Sequence, residues 1–192
     1  MREPPLLEFR VGLPAWVAPF LGAFVDPLTT VAARMRLTVA LARANVELGT
    51  GGPFGAAVFE RESGVLISVG VNRVVPEHCS AAHAEILALA LAQRRLQTYT
   101  LAAFPQALQL ISSTEPCAMC LGAIAWSGVY ELVTAATDAD ARRVGFDEGT
   151  KPRAWKRALT SNGIRVVTQV MRAEAREVLD LYRQSGGEIY NG

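Results

Sequence analysis

Cysteine is scarce, three in 192 residues, and two of the three sit together in Cys117-Ala118-Met119-Cys120 while Cys79 stands alone. That usage excludes a disulfide framework and predicts a reducing, cytoplasmic setting. An excess of charge of one sign is also lacking: 19 Lys and Arg face 18 Asp and Glu, a formal net charge of +1. No overall field recruits a polyanion, which argues against tight nucleic-acid binding. Long unbroken apolar runs are missing as well. The apolar stretch 11–25 is interrupted by Pro14 and Pro19 and is shorter than the roughly 20 residues that span a bilayer. No clear small-residue cleavage pattern follows it. Residues 1–25 therefore read as an irregular N-terminal arm packed on the domain, with a signal peptide as the lesser reading and no membrane association expected. Repeats, low-complexity tracts and interdomain linkers are absent.

What is present is a globular composition, 51% hydrophobic and 19% charged. A chain of this length makes one domain that buries about 70% of its unfolded surface. Asp26 before Pro27 predicts a helix N-cap and first position, and apolar residues from Leu28 to Val46 recur at steps of three or four. Strands are predicted over 56–60 and 65–71 as a hairpin after the tight Gly51-Gly52-Pro53-Phe54-Gly55 segment, then over 107–113, 129–135 and 164–170. Helices are predicted over 82–95, 116–126 and 173–183, with a short helical pattern near 153–159. This order predicts an α/β domain over 26–185, a three-layer sandwich around a mixed sheet. Residues 186–192 form a C-terminal tail.

Two short segments carry the chemistry, His83-Ala84-Glu85 and Pro116-Cys117-Ala118-Met119-Cys120. Cys117 and Cys120, three apart at a predicted helix start, project from one face of the first turn, where the helix N-terminus favours thiolate charge. His83 supplies a third ligand. Structural zinc takes four protein ligands, whereas a hydrolytic zinc takes three and keeps a position for water, whose pKa it lowers to about 7. Glu85 then remains as a proton shuttle. A CxxC alone serves equally as structural zinc or a redox pair, but HxE upstream with PCxxC is the signature of the zinc deaminases. Cys79 reads as a plain buried thiol, and Glu115 as a cap of the helix that follows it.

With these motifs the chain resembles the cytidine deaminase-like zinc deaminases over roughly residues 28–170. The resemblance implies an α/β/α sandwich with a five-stranded mixed sheet, zinc on His83, Cys117 and Cys120, Glu85 as proton shuttle, and a homodimer. The segments GGPFGAAV, TEPCAMCLGAIAW and GFDEG, with the tail ending in Ile189-Tyr190-Asn191-Gly192, look most like the compact bacterial guanine deaminases. That branch implies Glu148 as a catalytic or guanine-reading carboxylate, in a position where aspartate is common. It also implies Asn72 as a base-reading amide, Phe54 beside the base, and a tail that covers a neighbouring subunit's site. Here Tyr190 would be the covering residue. The backbone N–H of Ala84 can donate to a ring carbonyl, and Trp126 can line the pocket.

The function implied is zinc-dependent conversion of free guanine to xanthine and ammonia, a step of purine metabolism, with amino-triazines such as ammeline as further substrates. A tRNA adenosine deaminase shares both zinc motifs but needs a basic surface. Cytosine deamination is not excluded by the metal motifs, and a noncatalytic zinc domain has no use for Glu85.

Overall fold

The computed structural model of the chain describes residues 8–24 and 26–190. Helix α1 (Val17–Leu21) lies in the N-terminal arm and α2 (Val31–Glu47) follows it. The hairpin β1 (Gly55–Glu60) and β2 (Leu66–Val71) leads to α3 (Ala84–Leu96), β3 (Leu108–Thr114), α4 (Ala118–Ser127) and β4 (Glu131–Ala136). The chain then forms α5 (Asp138–Arg143), α6 (Trp155–Ser161), β5 (Arg165–Val167) and α7 (Arg172–Gln184).

The strands make one mixed sheet in the order β2-β1-β3-β4-β5. β1 is antiparallel to β2 and β3, whereas β3, β4 and β5 run parallel. Alternation along the strands separates two cores. Ala57, Phe59, Ile111 and Val133 face α2 and α7, while Ala56, Val58, Leu110 and Leu132 face α3, α4 and α6. The result is the three-layer α/β/α sandwich. Each fully buried Leu, Ile or Phe stabilises it by about 1.5–3 kcal/mol.

The sequence expectation fails at three element boundaries. Asp26 and Pro27 do not open a helix, because Leu28 N–H donates to Gly64 O at 3.0 Å and Leu28 O accepts from Arg34 Nε at 2.7 Å. The chain is thereby held outside helical geometry until Thr30, whose Oγ1 accepts from Ala33 N–H at 3.1 Å and caps α2. Pro116 precedes the α4 N-cap instead of sitting in the first turn, the cap being Cys117. The last strand stops at Val167, because Gln169 and Met171 adopt positive φ and turn the chain into α7.

One close approach positions the site. A Cβ on Gly70 of β2 would lie 2.0 Å from Ala84 O, so only glycine lets the start of α3 press onto the sheet.

Candidate active site

The functional side chains collect where the parallel strands end and α3 and α4 begin. His83 is the N-cap of α3 and Cys117 the N-cap of α4, both with extended backbone. Cys120 lies in the first turn of α4 and is buried. His83 Nδ1 is 3.5 Å from the Sγ of Cys117 and 3.5 Å from that of Cys120, and the three ligand atoms lie within 4.8 Å of one another. Zinc bonds of about 2.3 Å to sulfur and 2.0 Å to nitrogen at tetrahedral angles require nitrogen and sulfur about 3.5 Å apart. The cluster fits that ion, with one imidazole, two thiols and no fourth protein donor in the set.

The electrostatics agree with a cation site. Cys117 is held down to about 4 by the Cys120 thiol and by His83, against the opposing effect of burial. Cys120 is pushed well above the ordinary thiol value by its hydrogen bond to Cys117 and by burial. Without a cation, one ligand ionises only while its neighbour keeps a proton.

Glu85 sits two residues past the α3 cap, near the cluster but not part of it. Its Oε2 accepts from Cys120 Sγ at 3.5 Å and its Oε1 from Ser112 Oγ at 3.3 Å. Burial raises its pKa, and the Cys117 thiolate raises it further. The two-residue offset from His83 is no obstacle, because extended geometry at the cap turns the imidazole toward the side where Glu85 points.

A small cavity opens beside the cluster, lined by Phe54, Asn72, His83, Glu85, Cys117, Phe146, Glu148 and Tyr190 among others. Asn72 is buried, its Oδ1 accepts from Val74 N–H at 3.2 Å, and its Nδ2 has no partner. It therefore presents a donor to the cavity. Glu148 is buried, and burial pushes its pKa to about 8 although Lys151 Nζ, 3.8 Å away, pulls it down. Phe54 meets Phe146 edge to face at 4.9 Å between centroids, and Phe146 meets Tyr190 at 5.1 Å. Ala84 is fully buried at the first position of α3, where a backbone N–H has no intrahelical acceptor.

Two expectations are corrected. Trp126 is 85% exposed near the C-terminal end of α4 and does not line the cavity. The α4 residues that face the sheet, Leu121 and Ile124, leave it pointing outward. Glu115 does not cap α4. Its Oε2 accepts from Asp138 N–H at 3.0 Å at the start of α5, and Lys156 pairs with its Oε1 at 3.2 Å. Tyr190, by contrast, reaches the cavity of its own chain.

Sequence reasoning missed Ser112, Phe146 and Lys151. Ser112 is a small polar residue within a fully buried strand, a visible anomaly. Lys151 donates to Pro116 O at 3.1 Å and pairs with Asp138, contacts with no local spacing signal, and with Glu148 three residues before it.

Fold, ligand cluster and unligated carboxylate together define a zinc-dependent aminohydrolase. The family model of the cytidine and deoxycytidylate deaminase zinc-binding region matches residues 29–136, over half of the chain, and the chain belongs to that family. It is 39% identical over 114 residues to the guanine deaminase of Bacillus subtilis, covering 59% of this chain and 69% of that one. The solved structure of the guanine deaminase from Nitrosomonas europaea superposes with a TM-score of 0.87 at 46% identity, covering 95% of this chain and 100% of that one. The tRNA-specific adenosine deaminase of Buchnera aphidicola subsp. Schizaphis graminum is 32% identical over 127 residues, 66% of this chain and 77% of that one.

Proposed function

We propose that the chain hydrolyses free guanine to xanthine and ammonia, and that ammeline-type triazines, which present a similar edge, are accepted more slowly. The observation that carries this reading is the presence, in one cavity beside the metal ligands, of the buried Glu148 carboxyl and of an Asn72 amide whose Nδ2 has no partner. Guanine offers a ring N–H and an exocyclic amine to an acceptor, and ring acceptors to a donor. Likeness to two guanine deaminases supports the same reading.

His83, Cys117 and Cys120 would hold zinc, which would acidify a water toward neutral pH. Glu85 would take a proton from the attacking water and return it to the departing amine, so that guanine and water become xanthine and ammonia. A carboxyl with a raised pKa suits both halves of this transfer. Glu148, raised to about 8 by burial, carries a proton toward the amine, and once ionised it accepts from the ring N–H. Asn72 donates to a ring acceptor, Phe54 and Phe146 flank the ring, and Ala84 N–H faces the ring carbonyl.

The tail closes this site. The cavity as it stands holds about 20 Å³ of free volume, room for about one water, so a purine enters only when part of the lining, which includes Tyr190, moves aside. Gly186, at φ +72°, is the hinge of the tail 186–192, of which 191–192 lie outside the described residues. The unit 26–185 is the deaminase domain, and 1–25, of which 1–7 and 25 lie outside the described residues, is its arm.

The chain functions in the cytoplasm as a homodimer. Its three cysteines are free, and among the described residues no helix is long and apolar enough to cross a membrane. Met119, Trp126 and Leu91 leave apolar surface exposed on α3 and α4, which a second copy would cover. Sedimentation should show a dimer that Trp126→Lys dissociates.

Ammonia release across guanine, ammeline, cytosine, adenine, cytidine and an adenosine-containing tRNA anticodon stem tests the substrate. Guanine should dominate. Activity confined to the tRNA stem would overturn the proposal.

A further inference from the structure

A buried amide outside the cavity holds the wall that faces the base. Asn45, on α2, is fully buried. Its Nδ2 donates to Gly52 O at 2.8 Å and to Asn72 O at 2.9 Å, and its Oδ1 accepts from Thr50 Oγ1 at 2.8 Å. Two carbonyls on one side and one hydroxyl on the other fix which end of the amide is nitrogen.

The two carbonyls belong to the segments that carry the wall. Gly52 O also accepts from Phe54 N–H at 2.9 Å, and Asn72 N–H donates to Phe54 O at 3.0 Å. Gly52 lies against the Tyr190 ring, since a Cβ there would meet Tyr190 Oη at 2.2 Å. The neighbouring Gly51, at φ +157°, has its Cβ position 1.9 Å from Asn72 O, so the two segments touch backbone to backbone. One side chain thereby fixes Phe54, Asn72 and the seat of Tyr190.

Asn45 is held in turn from the N-terminal arm. Thr50 Oγ1, having given its proton to Asn45, accepts from Trp16 Nε1 at 2.9 Å. Arg73, the residue after Asn72, donates to Thr50 O. The chain of hydrogen bonds therefore runs from Trp16 through Thr50 to Asn45, none of which lines the cavity, and ends at Gly52 and at Asn72, which does.

We infer that Asn45 is a positioning residue for base recognition, and that Thr50 and Trp16 of the arm act through it on the Asn72 amide. The inference rests on the guanine reading only for the identity of the base. Apolar packing of Trp16 explains its ring but not its indole N–H, and α2 packing explains neither bond from Asn45 Nδ2.

Wild-type enzyme is assayed first on the substrate panel, and the base it turns over best is used for every variant. A wrong substrate assignment then shows in the wild type, and a wrong role for Asn45 shows only in the variants. Asn45→Asp, which sets an acceptor against two carbonyls, should raise KM about tenfold or more at unchanged zinc content. Trp16→Phe, which loses the indole N–H bond, and Thr50→Val, which keeps shape and loses the bonds to both Asn45 and Trp16, should each raise KM about three- to fivefold, and Thr50→Ser should stay within about twofold of wild type. In each variant with raised KM, the Asn72 side-chain amide peaks in a ¹H–¹⁵N spectrum, identified by their loss in Asn72→Asp, should move. If Asn45→Asp does not fold, Trp16→Phe and Thr50→Val decide the matter. A lower melting temperature with wild-type KM and unmoved Asn72 peaks overturns the inference.

Discussion

The two ends of the sheet bury polar groups in opposite ways. Where β3, β4 and β5 begin, Gln109 and Glu131 are buried among Arg34, Arg61 and Arg165. Arg34 Nη1 donates to Gln109 Oε1 at 2.9 Å, Gln109 Nε2 donates to Glu131, and Arg61 and Arg165 pair with Glu131 at 3.4 and 3.3 Å. Where the strands finish, Asn72 Nδ2, His83 Nε2 and Tyr190 Oη are buried without partners, and Glu85 and Glu148 are both shifted upward. Buried side chains that pair with one another mark a structural network. Unspent donors and perturbed carboxyls mark a reactive one.

The contrast is broken most directly at its reactive end. Glu85→Gln should reduce turnover by about 10²–10⁴-fold without lowering zinc content or melting temperature, because it removes a buried carboxyl that the fold does not need. Ammonia release read beside metal analysis checks this. Stripping the metal with a chelator should cost up to about 4 kcal/mol of stability if zinc stands near a thousandfold above its Kd, and added zinc should restore the melting curve. An unmoved curve would detach the cluster from the metal.

The structural end should respond in the reverse sense. Arg34→Met leaves Gln109 Oε1 and Leu28 O without a donor, so denaturant unfolding should lose about 1–3 kcal/mol, while kcat and KM of the folded fraction stay within about twofold of wild type. A selective loss of kcat would merge the two ends.

Asp140 tests whether location or pairing decides the role, because it lies at the reactive end and is fully paired. Burial raises its pKa, but hydrogen bonds from Arg172, at 2.7 and 3.1 Å, and from Thr137 outweigh it and hold the group well below the carboxylate range. A depressed folded value contributes stability that is present above the ordinary value of about 3.9 and lost as pH falls through it. Asp140→Asn should cost about 1 kcal/mol at neutral pH, with the difference shrinking below about pH 4. Turnover should be unchanged.

Residues close in sequence were the legible ones. His83 and Glu85, and Cys117 and Cys120, announce themselves because each pair shares one helix start, where spacing sets direction. Glu148, Asn72, Phe54 and Tyr190 came only through family likeness, since nothing local ties them to the cluster. Ser112, Phe146, Lys151 and Asn45 escaped, because each has a partner far along the chain, Glu85, Phe54, Pro116 and Asn72 respectively. Helix α5 escaped for another reason: its six residues, four of them charged and two alanine, have no apolar rhythm, and it stands on the reciprocal capping of Thr137 and Asp140. Trp126 misled because an aromatic near a motif reads as pocket, and only packing shows which way it faces.

The amino-acid sequence by itself determined the metal-ligand cluster, the reaction class and the layer order, because these follow from short spacings and apolar periods. Tertiary structure alone decided which distant side chains share the cavity, which buried polar groups keep a free hydrogen-bonding atom, and how the tail and arm meet the site. Those are facts of three-dimensional proximity and desolvation, and neither is a property of any segment taken alone.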